Sequence, residues 1–228
     1  MEMGLFNRSR TYPDISRNTP CSEFEVDNWV LSEFILEKIV PVAGIRPFPL
    51  NELMLMCATV CRYRPSLIFD WGTHIGKSAR IFRETIKAFG IPCHIHSIDL
   101  PDDVEHVEHP NAERGRLVKG LAEVTLHQGD GVTTALEILR RNTNTGSTLF
   151  YVDGDHAYES VKRELSMILG AVPSAVVLLH DTFMQSESSG YNVGPARAIQ
   201  EVLSATPGWK TIRTNTGLPG MTLVHPSA

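Results

Sequence analysis

The sequence predicts an α/β fold, with a mostly parallel sheet between two helical layers and an antiparallel hairpin at the C-terminal end. Three observations carry this. From Ser66 onward, short apolar segments alternate with helical ones, the pattern of successive βαβ units. Most of those apolar segments are continuous runs, as strands buried on both faces require. The last two, Trp209–Arg213 and Met221–His225, are joined across Gly217-Leu218-Pro219-Gly220, a turn too short for a crossover helix. Together these describe a Rossmann-like three-layer sandwich.

The first 25 residues are polar, carry Pro13 and Pro20, and read as a loose arm. Val26–Val40 has helical apolar spacing through Trp29, Phe34, Ile35 and Ile39. After the loop Pro41–Pro49, Leu50–Arg62 reads as a second helix, so residues 26–65 form helices covering the substrate side. Residues 66–228 form the α/β domain. Its strands are Leu67–Trp71, His94–Asp99, Val124–Gln128, Thr148–Asp153 and Ala175–His180, followed by the hairpin. Helices are expected near Lys77–Phe89, Asn111–Leu121, Val132–Arg141, Ala157–Leu169 and Val193–Ser204.

A chain of 228 residues can bury one sizeable core, and 42% hydrophobic with 21% charged residues is ordinary globular usage. A formal charge of −5 with no basic block gives no electrostatic reason to expect nucleic acid. No apolar run approaches the roughly 20 residues that span a bilayer, so no membrane partner is expected. Met1–Arg10 lacks the apolar stretch of a signal peptide, and Cys21, Cys57, Cys61 and Cys93 form no CxxC pair, which points to the cytoplasm. Cys57 and Cys61 are spaced to share a metal, but with Leu53, Met56 and Val60 they read better as one apolar helical face. The oligomeric state is left open, a homo-oligomer included.

Ligands of open α/β sheets bind beyond the carboxyl ends of the strands, so the residues there carry the functional reading. The first strand runs into Asp70-Trp71-Gly72-Thr73-His74-Ile75-Gly76-Lys77-Ser78. Gly72 and Gly76 allow a tight turn and close backbone approach, and the following helix offers free N–H groups. His74 stands where a dinucleotide fingerprint needs its second glycine, and the loop is one residue short of a P-loop. Asp99 ends the second strand, placed to accept hydrogen bonds from a ribose diol. Asp130, after the third strand, either caps the next helix or reaches a nucleobase. Asp153 ends the fourth strand and His180-Asp181 ends the fifth, so three ionisable groups converge on one rim. They suit either a divalent cation or an acid/base pair with His180 as proton acceptor. Nearby, Asp155 reads as a helix cap and His156 as a packing residue. Pro101–Pro110 reads as a solvated loop, with a lid as the alternative.

In order and spacing, Asp70-x-Gly72-x-x-x-Gly76-x-Ser78, Asp99, Gly129-Asp130, Asp153-Gly154-Asp155-His156-x-Tyr158-Glu159 and His180-Asp181-Thr182 resemble the class I S-adenosylmethionine-dependent methyltransferases. The nearest likeness is to the small-molecule O-methyltransferase branch with macrocin-type sugar methyltransferases and cephalosporin hydroxylase-like proteins. Val193-Gly194-Pro195-Ala196-Arg197-Ala198 resembles that branch's helix after the fifth strand. The resemblance implies a seven-stranded sheet, S-adenosylmethionine as cofactor and a small-molecule acceptor, sugar or natural product. It implies that Gly72, Thr73 and Gly76 line the methionine moiety, with Asp70 and Ser78 completing that loop. Asp99 would meet the ribose and Asp130 the adenine side, with Asp153 also at the cofactor. Asp153, His180 and Asp181 would occupy the divalent-metal positions, where Mg²⁺ is usual.

The sequence departs from the family at His180, where members with a metal commonly carry an acid. Imidazole suits softer divalent ions than Mg²⁺, such as Mn²⁺ or others later in the series. The expected reaction is in-line transfer of the sulfonium methyl to a hydroxyl, with either a cation or His180 lowering the hydroxyl's effective pKa. Three rivals stand beside it. One is a non-haem iron oxygenase using His156, His180 and an aspartate. Another is a catalytically silent cofactor-binding module. A nicotinamide-dependent dehydrogenase fits Asp99 but not His74.

Overall fold

Each apolar run that the sequence marks as a strand pairs in one sheet: β1 (Leu67–Trp71), β2 (His94–Asp99), β3 (Val124–Gln128), β4 (Thr148–Val152), β5 (Val176–His180), β6 (Trp209–Arg213) and β7 (Met221–Pro226). The computed structural model describes residues 11–16, 23–101, 103–104, 113–142, 146–189, 191, 193–214 and 216–227. The strand order is β3-β2-β1-β4-β5-β7-β6, with β1 to β5 parallel and β7 antiparallel to both neighbours. This is the seven-stranded Rossmann-like sheet expected. The order reverses direction at β1 and β4, so the cleft between their carboxyl ends is the switch point where ligands bind.

Successive residues of each strand feed opposite helical layers. Ile68, Ile95, Tyr151, Leu178 and Leu223 face α1 (Asn28–Phe34), α3 (Leu50–Tyr63) and α4 (Lys77–Ala88). Phe69, Phe150, Val177 and Val224 face α5 (Gly131–Arg141), α6 (Tyr158–Ala171) and α7 (Gly194–Ala205). Phe34, Phe69, Phe82 and Phe150 are fully buried, each contributing roughly 1.5–3 kcal/mol of hydrophobic stabilisation. Cys57 and Cys61 lie in this core as free thiols, and burial pushes the Cys57 pKa up to about 12. They are packing residues, as their helical face implies.

Three segments differ from expectation. The first helix does not stop at Val40. A π-helical turn (Ile35–Ile39) leads into α2 (Val40–Ala43), which carries Pro41 in its first turn and ends at Gly44. The wider turn accommodates a residue that lacks an N–H and would clash in a regular helix. The polar arm is docked over its described part: the Tyr12 N–H donates to the Ala88 carbonyl (2.9 Å), and its ring packs against Phe34 and Phe89. Residues 1–10 and 17–22 of that arm lie outside the described residues, as does most of Pro101–Pro110.

The third difference is a correction. No helix forms over 113–121, the described part of the segment expected to be helical; turns occupy 114–120. Gly115 (φ +70°) takes a backbone shape that ends a helix, and a Cβ there would meet Leu126 at 2.6 Å. The freed N–H groups of Gly115 and Leu117 donate instead to the carbonyls of His74 and Ile75, at 2.7 and 3.0 Å. This segment is therefore a strap across the glycine loop.

One buried carboxyl sets a stability prediction. Glu164 of α6 is 5% exposed, and burial pushes its pKa up to about 7 against the partial compensation of the Trp71 indole and Arg163. Its folded pKa lies above its unfolded one, so the native state holds the extra proton and stability falls as pH rises from about 4.5 to 7. Glu164→Gln should flatten that slope. By urea unfolding it should be about 2–3 kcal/mol more stable than the parent at pH 8 and equal to it at pH 4.5. Equal stabilities at pH 8 would remove the assignment.

Candidate active site

The ends of β1, β2, β4 and β5 bring the predicted residues to one rim in two groups. The first is the glycine loop. Asp70 is fully buried at the end of β1, where its Oδ2 accepts from the Ser97 hydroxyl (2.6 Å); Ser97 and Thr73 share a further hydrogen bond at 2.8 Å. Burial pushes the Asp70 pKa up to about 6, opposed by the nearby Ser78 and Ser97 hydroxyls. Asp70 and Ser78 thus brace the loop from beneath. Asp99 braces it from the side: its Oδ2 accepts from the His74 N–H and its Oδ1 from the Leu100 N–H, both at 2.8 Å. The Arg114 guanidinium reaches Asp99 (3.6 Å) while donating to the carbonyls of Pro101 and Val104. His74 holds a left-handed backbone (φ +46°), an uncommon conformation for a non-glycine residue.

Asp130 stands apart from this hydrogen-bonded group. Its Oδ1 accepts from the Thr133 N–H, capping α5, and its Oδ2 pairs with Arg163 at 2.6 Å. The Arg163 pair chiefly holds its pKa down at about 2. Of the two readings of Asp130, helix capping is the one its contacts display.

The second group is a carboxylate–imidazole cluster. His180, 4% exposed at the end of β5, meets Asp153 Oδ1 through Nδ1 at 2.9 Å and Glu52 Oε2 through Nε2 at 3.0 Å. Asp181 Oδ2 lies 3.4 Å from the same Nδ1 and 3.1 Å from His156 Nε2. Tyr151 donates to Asp153 Oδ2 (3.1 Å), and Tyr191 donates to Asp181 Oδ1. Asp181 also has a left-handed backbone (φ +53°), held by this network. Burial alone would push the His180 pKa down, but the carboxylates of Asp153, Asp181 and Glu52 override it and hold it well above the usual range. Burial likewise pushes Asp181 up, and the hydrogen bonds from His180 and Tyr191 bring it down to about 2. Nearby Asp155 accepts from the Ala157 N–H and the Ser160 hydroxyl, which fixes the entry to α6.

The two groups share a wall. Gly72 (φ +84°) lies so close to β4 that a Cβ would fall 1.9 Å from the Asp153 carbonyl oxygen. Any residue but glycine there would drive the loop away from the cluster.

Glu52 is the participant that sequence reasoning missed. It is fully buried on α3, and its Oε1 accepts from the Gly220 N–H at 2.7 Å. The available signal was a carboxylate in helical register with the apolar Leu55 and Met56, where a solvated side chain has no place. His156, expected to pack on a helix, belongs to the cluster instead.

The cluster suits a divalent cation by its donor set. Asp153, His180 and Asp181 each offer a ligand atom within 4.8 Å of the others, the group of three that converges in this way among the described residues. Glu52 on Nε2 would keep that nitrogen protonated and leave Nδ1 as the ligand, a common outer partner for a metal-bound histidine.

Comparison with known proteins agrees with this architecture. The family model described as a methyltransferase domain matches residues 69–182, half of the chain. An O-methyltransferase from Bacillus cereus, solved with SAH, is similar at 12% identity over 88% of this chain and 91% of its own (TM-score 0.55). The O-methyltransferase of tomaymycin synthesis from Streptomyces achromogenes, solved with SAM, gives 20% identity over 88% and 97% (TM-score 0.53). The TDP-rhamnose 3′-O-methyltransferase of calicheamicin biosynthesis gives 17% over 85% and 86% (TM-score 0.53). At these identities the likeness establishes the fold alone. No curated protein sequence matches the chain significantly. The matched segment opens within β1, spans the glycine loop and closes just past Asp181, so the chain belongs to the methyltransferase-domain family.

Proposed function

We propose that this methyltransferase transfers the sulfonium methyl of S-adenosylmethionine to a hydroxyl of a small molecule, of sugar or natural-product type. The observation that carries the proposal is the shared wall between Gly72 and Asp153. A donor held on the glycine loop would present its methyl directly to the cluster that handles the acceptor. The cofactors and substrates in the names of the similar structures support the same reading.

In this proposal Gly72, Thr73 and Gly76 line the methionine moiety, while Asp70 and Ser78 act through the loop they brace. Asp99 accepts from the ribose hydroxyls with the lone pairs left over from the His74 and Leu100 N–H groups. The carboxylate of Asp130 is committed to Thr133 and Arg163, so only the turn around it is offered to the adenine side. Asp153, His180 and Asp181 form the acceptor site. With both ring nitrogens on carboxylates, His180 holds Asp153 and Asp181 in place, and the proton-accepting role passes to the more exposed His156, oriented by Asp181. A divalent cation at the cluster would act as a Lewis acid on the acceptor oxygen.

The test begins with the cofactor. By calorimetry, S-adenosylmethionine should bind, and Asp99→Ala should weaken it at least about 30-fold by deleting charged hydrogen bonds. Unchanged affinity would remove the ribose assignment. Turnover of a library of hydroxylated acceptors with labelled S-adenosylmethionine then tests the chemistry, with and without chelator. Oxygen-dependent product formed without methyl transfer would replace the proposal with the oxygenase reading.

A further inference from the structure

Outside the strand-end cleft, three imidazoles gather on the β2–β3 face of the sheet. His94 and His96 are two apart on β2, so they project from the same face, and His127 on the neighbouring β3 joins them there. His96 Nδ1 faces His127 Nε2 at 3.0 Å. The His94 ring lies 4.9 Å from that of His96, with its Nε2 on the Thr125 hydroxyl at 2.8 Å. The His127 ring centroid lies 5.1 Å from that of His96 on the other side. His96 is the inner member, stacked on Phe69 at 5.2 Å, while all three rings keep partial access to solvent.

We infer that His96 and His127, with His94 as third ligand, form a binding site for a borderline-soft divalent ion such as Zn²⁺, Ni²⁺ or Cu²⁺. The spacing is the first argument. Metal–nitrogen bonds near 2.0 Å put two ligand nitrogens about 2.8 Å apart in a square-planar site and about 3.3 Å apart in a tetrahedral one. The observed 3.0 Å falls between these values. Two neutral imidazoles at this distance share one proton; once that proton shifts to the far nitrogen of its own ring, both facing nitrogens offer lone pairs to a cation. The second argument is protonation. Burial, reinforced by the neighbouring imidazoles, holds His96 down at about 4 and His127 below its ordinary value, so both rings are neutral at pH 7. The third is selectivity. The facing ring nitrogens of His96 and His127 meet each other and His94 Nε2 meets a hydroxyl, and an all-imidazole site favours borderline-soft ions over Mg²⁺ or Ca²⁺. The cluster at Asp153 and Asp181 has the opposite bias. The His94 nitrogens do not converge with the other two as the ligand atoms of the Asp153 cluster do, so His94 joins by turning its ring from Thr125 toward His96, and water fills the remaining positions.

Calorimetric titration with Zn²⁺ in a non-chelating buffer at pH 7 reads this directly. The chain should bind Zn²⁺ at a site that survives Asp153→Ala and is insensitive to excess Mg²⁺. His127→Ala on the edge strand should weaken that site at least tenfold, and His94→Ala less. Both residues are partly exposed, so each variant should keep the parent's melting temperature within a few degrees without metal. Cu²⁺ added to the parent should give nitrogen hyperfine structure in its paramagnetic resonance spectrum, reduced in His127→Ala. Unchanged Zn²⁺ affinity in His127→Ala, or loss of all binding in Asp153→Ala, would overturn the inference.

Discussion

Asp153→Ala is expected to reduce turnover by about 100-fold or more while leaving S-adenosylmethionine affinity within about threefold. Its carboxylate joins Tyr151, His180 and, at 3.9 Å, His156, so its loss removes the hub of the carboxylate–imidazole cluster. The glycine loop approaches the backbone at this position, at the Asp153 carbonyl beside Gly72, and alanine preserves that contact. Labelled-methyl transfer to the best acceptor reads the first effect, and calorimetry reads the second. Full activity would sink the acceptor-site reading. An equal loss of cofactor binding would move Asp153 to the donor half of the site.

The second large effect is on stability. Breaking a buried ion pair by removing one partner costs about 3–5 kcal/mol, because the other charge is left without compensation. Glu52 and His180 are such a pair, 0% and 4% exposed and 3.0 Å apart. His180→Ala should therefore lower the unfolding free energy by about 3–5 kcal/mol in urea titrations at pH 7. Adding Glu52→Gln to that variant discharges the stranded carboxylate and retains an acceptor for the Gly220 N–H. The double variant should recover about 1–2 kcal/mol of the loss. A cost below about 1 kcal/mol for His180→Ala would show that water reaches Glu52 and that the pair is not sealed.

The sheet was legible because its signals are local. β1, β2, β3 and β6 run over the spans expected, and the other strands differ by a residue at one end. A strand needs only its own apolar run and the breakers around it. The strap at 113–121 was not legible, because its backbone hydrogen bonds go to His74 and Ile75, some forty residues earlier in the chain. The same division holds in the site. The placement of Asp99, Asp153 and His180-Asp181 on one rim could be read from strand ends alone. The partnership of Glu52 with His180 spans 128 residues and depends on how α3 packs across the sheet. Nor does spacing reveal that Asp70 and Ser78 face each other under the loop, since that requires β1 and α4 to be folded together.

Because a carboxylate from α3 grips the far side of the His180 ring, the helical cover and the proposed reaction centre are not interchangeable modules. An engineer who grafts a different cap onto this sheet to change the acceptor would also remove the anion facing that imidazole. The chimera would inherit a destabilised core along with its new pocket unless the donor cap brought an acid to the same place. Under the proposed function, divergence in acceptor choice is then easier through the loops that border the cluster than through exchange of the helices above it.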